Sequence, residues 1–251
     1  EKALTLKPDY AKAHSNLGVA LVELGRFEEA VFSYRKAIEI KPDFAESHCN
    51  LGVALGELGR SEEAVFSYRK AIEIKPDYAE AHSNLGNILK ERGQFDEANE
   101  CYLKALSIKP EFAEAHNNLG VVLKELGQLE KAKVSYQEAL AFKPNYAEAY
   151  NNLGNVLYEL GSLEGAITNY EKAIAIEEDN SGAHNNLGNV FQALGRVEEA
   201  FICYKKALTF KPDYAEAYHN IGVASNELGN LEEAVASYKQ ALALKPDYVS
   251  A

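Results

Sequence analysis

The sequence has no methionine and no tryptophan, only three cysteines, and no apolar run longer than a few residues. A helix that crosses a bilayer needs about 18–20 consecutive apolar residues, so no membrane span is expected. Cys49, Cys101 and Cys203 are odd in number and far apart. That argues against a disulfide or a metal site, and the three read as reduced thiols. A cytoplasmic location is the corresponding expectation. Methionine is missing even at residue 1, so the chain is expected to be an excerpt or a processed product, and missing targeting signals carry no weight. Basic residues are also in deficit: 26 Lys and Arg against 38 Asp and Glu give a formal net charge of −12. Such a field repels a phosphate backbone and argues against nucleic acid as the main ligand. With 47% apolar and 25% charged residues, the chain is an ordered protein rather than a disordered tail.

Proline is scarce but periodic. Pro8, Pro42, Pro76, Pro110, Pro144, Pro212 and Pro246 fall 34 residues apart, with Glu178 in the one vacant place. Two glycine series keep the same period, one from Gly18 to Gly222 and the other from Gly25 to Gly229. Residues 28–43 and 62–77 are identical strings, the mark of a recent duplication. Counted from Ala11, seven copies are expected at 11–44, 45–78, 79–112, 113–146, 147–180, 181–214 and 215–248. Residues 1–10 read as the second helix of a preceding copy, and 249–251 as the opening of an eighth.

Positions within a copy are numbered 1 to 34 from Ala11. Apolar residues recur at helical spacing, as Ala81, Leu85, Ile88 and Leu89 show in the third copy. The position-15 glycine ends a first helix. A second runs to the proline, which suits the turn into the next copy. Each copy is therefore a helix–turn–helix pair. One pair cannot bury its apolar face alone, so neighbours must stack into a solenoid.

Across the copies, position 7 is Leu or Ile, position 8 Gly, positions 20 and 27 Ala, position 24 Tyr and position 32 usually Pro. This pattern resembles the tetratricopeptide repeat over the whole chain. The resemblance implies an all-α, right-handed superhelical solenoid of helix–turn–helix repeats. First helices would line its concave side, and the groove there would take a protein ligand. Position 4 departs from the family's frequent Trp: it is His14, His48, His82, His116 and His184, or Tyr150 and Tyr218.

Chemistry is not expected within this chain. Equivalent positions of stacked repeats lie too far apart to share a metal ion, so the position-4 histidines read as packing residues. Carboxylate pairs such as Glu28–Glu29 and Glu62–Glu63 open second helices, where they complement the helix dipole. No catalytic residue, metal or cofactor is assigned, and no enzyme activity is expected of the chain alone.

The helical wheel places positions 2, 5, 6, 9, 12 and 13 opposite the buried side of the first helix. Position 6 is Asn in every copy: Asn16, Asn50, Asn84, Asn118, Asn152, Asn186 and Asn220. Asn is a mediocre helix former, so seven choices of it ask for a reason. Their amides would form a ladder able to pair with the N–H and C=O of an extended peptide. Bonding between neighbouring repeats is the competing explanation. Asn117, Asn151 and Asn185 at position 5 and Asn87, Asn155 and Asn189 at position 9 are expected to join the ladder. Elsewhere position 9 is Val, as at Val19, Val53, Val121 and Val223. Positions 2 and 13 are mostly Glu, favouring ligands with Lys or Arg. A clamp for a C-terminal carboxylate is not expected, because Lys90 and Lys124 are the only groove-side cations near the centre.

The ladder also resembles the repeat arm of O-linked N-acetylglucosamine transferases, which implies that such asparagines hold a substrate backbone. The expected function is thus a protein-interaction scaffold. The alternatives are a substrate-recruiting arm of a larger transferase, or a structural scaffold that self-associates end to end. Where the fifth copy meets the sixth, residues 177–182 lose the proline and the aromatic, so a looser contact is expected there, read as sequence drift, with a hinge as the alternative.

Overall fold

The computed structural model describes residues 10–246. The expected closing helix over 1–10 and the start of an eighth copy at 249–251 fall outside the described residues, Tyr10 excepted. Fourteen α-helices and no strand are found among the described residues. In chain order they are α1 (Ala11–Glu23), α2 (Phe27–Ile40), α3 (Ala45–Glu57), α4 (Ser61–Ile74), α5 (Ala79–Glu91), α6 (Phe95–Ile108) and α7 (Ala113–Glu125). They continue as α8 (Leu129–Phe142), α9 (Ala147–Glu159), α10 (Leu163–Ile176), α11 (Ser181–Ala193), α12 (Val197–Phe210), α13 (Ala215–Glu227) and α14 (Leu231–Leu244). First helices thus occupy positions 1–13 and second helices positions 17–30. None of the helices is long and apolar enough to cross a membrane.

Helices α1–α7 form one compact unit and α8–α14 another. Inside each unit every helix packs on the next, and alternate first helices also touch, as α3 does with α5 and α11 with α13. This is the all-α solenoid packing of helix–turn–helix repeats.

The first turn of a copy closes as a Schellman motif, as the second copy shows. Gly59 has φ of 70°, its N–H donates to Gly56 O at 2.8 Å, and Arg60 N–H donates to Leu55 O at 2.9 Å. Only a residue tolerant of left-handed backbone closes a helix this way. The second turn uses proline. Phe44 N–H donates to Lys41 O at 3.2 Å across Pro42, and the Lys41 ammonium lies 5.0 Å from the Phe44 ring centroid. Comparable pairs recur at Lys75–Tyr78, Lys109–Phe112, Lys143–Tyr146 and Lys211–Tyr214.

Packing is tightest where the position-24 tyrosine crosses the position-8 glycine. A Cβ built on Gly52 would stand 2.6 Å from Tyr68 Cε1, closer than any side chain permits. The ring lies on bare backbone, and the alanines at positions 20 and 27, such as Ala64 and Ala71, bring the second helix close enough to hold it there. Both alanines are completely buried.

The junction at 177–182 has a substitute for what it lost. Asn180 Oδ1 accepts from Ala183 N–H at 2.9 Å, a side-chain N-cap found at no other helix among the described residues. The Lys–aromatic pair of the other turns is replaced there as a pair, by Glu177 and Asn180. His184 is buried and stacks on Phe210 at 5.6 Å.

Candidate functional site: the open face of the first helices

Histidine at position 4 serves the connecting turns. His48 Nε2 lies 3.0 Å from Pro42 O and His82 Nε2 3.0 Å from Pro76 O. A carbonyl only accepts, so the ring nitrogen donates and its tautomer is fixed. His116 and His184 repeat the bond, to Pro110 O and Glu178 O. The expectation of rings packed in the core needs correcting: only His184 is buried, and the others stand half-buried at the turn. Burial lowers the His184 pKa from its ordinary value. Cys49, Cys101 and Cys203 are free thiols that burial makes harder to ionise, each to about 11. No group of three or more His, Cys, Asp or Glu able to hold a metal occurs among the described residues.

Position 5 is the main disagreement with the helical wheel. Ser15, Cys49, Ser83, Asn117 and Asn185 are buried, the two asparagines completely, and Asn151 is half-buried. Asn117 and Asn185 therefore do not face the open groove. The wheel treats a lone helix, whereas a stacked first helix has a second neighbour along the array. Asn185 shows the consequence: its Nδ2 donates to Glu216 Oε1 at 2.9 Å, and its Oδ1 accepts from Asn220 at 3.0 Å.

Position 6 also reaches sideways. Asn186 Nδ2 donates to Asn151 Oδ1 at 3.2 Å and to Asn155 Oδ1 at 3.0 Å. Asn220 Nδ2 donates to Asn185 and Asn189 Oδ1, both at 3.0 Å. Asn118 Nδ2 donates to Asn87 Oδ1 at 3.1 Å, and Asn84 Nδ2 lies 3.9 Å from Cys49 Sγ. An amide nitrogen has two hydrogens, so those of Asn186 and Asn220 are fully used. Asn16 is exposed, while Asn50 and Asn152 are half-buried.

The position-9 asparagines anchor this network to the core tyrosines. Tyr102 OH donates to Asn87 Oδ1 at 2.7 Å, Tyr170 OH to Asn155 Oδ1 at 2.8 Å, and Tyr204 OH to Asn189 Oδ1 at 3.0 Å. Each amide oxygen thereby accepts twice, once from below and once from the next repeat. The tyrosine hydroxyls escaped the sequence reading, although an invariant Tyr beside a position that alternates between Asn and Val was the available signal.

The open face keeps oxygen acceptors and carboxylates. Among the described residues no donor is found on Oδ1 of Asn50, Asn84, Asn186 or Asn220. Glu23, Glu57, Glu91, Glu125 and Glu227 at position 13 are exposed. Side chains of the face also return donors to it: Lys90 Nζ donates to Asn118 Oδ1 at 2.9 Å, and Gln192 Nε2 to Glu227 Oε1 at 2.7 Å.

Helix pairs joined by glycine turns and stacked through a tyrosine on bare backbone define a helical-repeat protein. The profile described as TPR repeat matches residues 19–59, 56–91, 86–127, 122–161 and 154–195, and the one described as Tetratricopeptide repeat matches 179–247. The chain belongs to the tetratricopeptide repeat family. No curated protein matches it. Among solved structures, MamA is 30% identical, covering 64% of this chain and 95% of its own, with a TM-score of 0.59. YrrB, described as a TPR protein with an unusual peptide-binding site, is 27% identical, covering 74% of this chain and 96% of its own, with a TM-score of 0.63. Pseudomonas aeruginosa pilF, at 23% identity, covers 82% of this chain and 94% of its own with a TM-score of 0.74 and speaks for the fold alone. Repeats of this family make the chain a protein-interaction scaffold.

Proposed function

We propose that the open face of the first helices binds an extended segment of another protein, and that the chain itself is not catalytic. The observation that carries the reading is the one-sidedness of the position-6 amides. Their nitrogens are spent between repeats at Asn186 and Asn220, so what they offer outward is oxygen. An extended backbone presents N–H groups that such oxygens can accept without regard to its side chains. The ladder thus acts as a row of acceptors rather than as two-way amide pairs. Carboxylates at positions 2 and 13 add a preference for basic side chains. YrrB's peptide-binding site offers an analogy for a peptide ligand on such repeats. Free thiols at all three cysteines agree with a cytoplasmic setting.

The test is a peptide-display selection on the wild-type chain beside a variant carrying Glu57→Gln, Glu91→Gln and Glu125→Gln. These exposed side chains can be changed without disturbing the inter-repeat amide bonds. Basic peptides that bind the wild type and weaken on the folded variant support the reading. Peptides that bind both equally and protect only second helices from hydrogen exchange overturn it.

A further inference from the structure

The open face is not uniform. At position 12 the third copy has Lys90, whose ammonium sits on Asn118 Oδ1 of the next repeat. The sixth copy has Gln192, which reaches the next repeat's Glu227. In both, a donor from position 12 satisfies acceptors one repeat on. The second copy has Gly56 there, and no donor. A recess of about 380 Å³ opens in its place, lined by Val53, Gly56 and Glu57 of α3, Tyr68 of α4, and Asn84, Asn87, Ile88 and Glu91 of α5.

The recess holds two kinds of oxygen that meet no protein partner among the described residues. Glu57 and Glu91 are exposed carboxylates with no ion pair among the described residues. Tyr68 is independent of them. It is 97% buried, given its 3% exposure, and its hydroxyl has no hydrogen-bond partner among the described residues. The equivalent Tyr102, Tyr170 and Tyr204 each donate to a position-9 asparagine, but the second copy has Val53 at that position. The phenol therefore lines the recess without a protein acceptor. Burial and the nearby Glu57 and Glu91 charges push its pKa up, so it stays neutral.

We propose that this recess is a site for a cationic side chain of a bound protein segment, arginine in preference to lysine. The proposal rests on the first-helix face being the binding face. A guanidinium has five donors in a planar fork and no acceptor, which suits two carboxylates, the Asn84 oxygen and a phenol oxygen around one cavity. Lys90 provides the internal precedent: one repeat on, the protein places its own cation on the equivalent amide oxygen. At Gly56 it leaves the place to a partner.

The site is tested on the full chain by NMR, with N-acetyl-arginine N-methylamide as the probe and the neutral citrulline analogue as its control. The arginine probe is expected to shift the side-chain amides of Asn84 and Asn87 and the Gly56 amide, and the citrulline probe is not. Gly56→Lys supplies the cation in cis and is expected to weaken the arginine probe by roughly tenfold or more. Gly56→Ala leaves the carboxylates accessible and keeps binding. Equal responses to arginine and citrulline, shifts that survive Gly56→Lys, or no shift at these amides each overturn the site. Selected peptides without Arg or Lys that still protect the first helices would leave the face reading standing while this site falls. Peptides that map only to second helices would remove the face reading, with the arginine titration judging the recess by itself.

Discussion

Asn186 donates its side-chain amide to Asn155 across a repeat boundary at 3.0 Å, and the same Asn155 oxygen accepts from Tyr170 at 2.8 Å. One acceptor thus ties the next repeat's first helix to this repeat's second helix. Asn155→Val, which copies the residue found at this position in four other repeats, removes both bonds. A loss of about 1–2 kcal/mol is expected, read as weaker hydrogen-exchange protection in α9 through α11. Unchanged protection would mean that the network contributes nothing to stacking. In a double-mutant cycle, Asn155→Val and Asn186→Ala should be clearly non-additive.

Two glycines in α3 should respond with opposite signs. A Cβ on Gly52 meets the Tyr68 ring at 2.6 Å, whereas a Cβ on Gly56 meets only Ile88 Cδ1 at an ordinary 3.4 Å. Gly52→Ala should therefore destabilise by roughly 1–3 kcal/mol through overpacking. Gly56→Ala should stabilise by about 0.5–1 kcal/mol through helix propensity. Thermal unfolding followed by circular dichroism separates the two, and equal effects would contradict the packing described.

Much of this architecture was legible in the sequence, because the 34-residue period fixes where glycine ends one helix and proline starts the next turn. The position-15 glycines do adopt left-handed φ, from Gly25 to Gly229. What a single helical wheel cannot show is the neighbour along the array. It placed Asn117 and Asn185 on open ground, and stacking buries both. It also left the position-6 amides free, whereas Asn186 and Asn220 spend their nitrogens on the preceding repeat. The recess was foreshadowed by Gly56, a glycine outside both periodic series, but its meaning needed Lys90 on Asn118 for comparison.

At the irregular junction, Asn180 caps α11 through Ala183. Asn180→Ala should cost about 1 kcal/mol and raise exchange selectively in the first turn of that helix. If exchange there is unaffected, the cap does not hold the junction.

Alkaline pH should unfold the array. Burial raises the Tyr34 phenol to about 12 and pushes Tyr68, Tyr102, Tyr170 and Tyr204 upward as well. These groups hold their protons better folded than unfolded. Their contribution to stability is full below the ordinary phenol value of about 10 and is lost as pH rises through the folded values. The tyrosinate absorbance of these five buried phenols is expected to appear together with the loss of helical circular dichroism. Complete phenol titration near pH 10 with the helices intact would contradict the buried Gly–Tyr contacts.

The most direct test of the binding account is paramagnetic relaxation with a selected peptide carrying a nitroxide at its centre, bound to the labelled full chain. The account predicts broadening at first-helix positions 6 and 13, such as Asn84, Asn118, Glu57 and Glu91. Broadening confined to the exposed Phe32, Phe66 and Ile202 of the second helices, with those first-helix signals sharp, would contradict it.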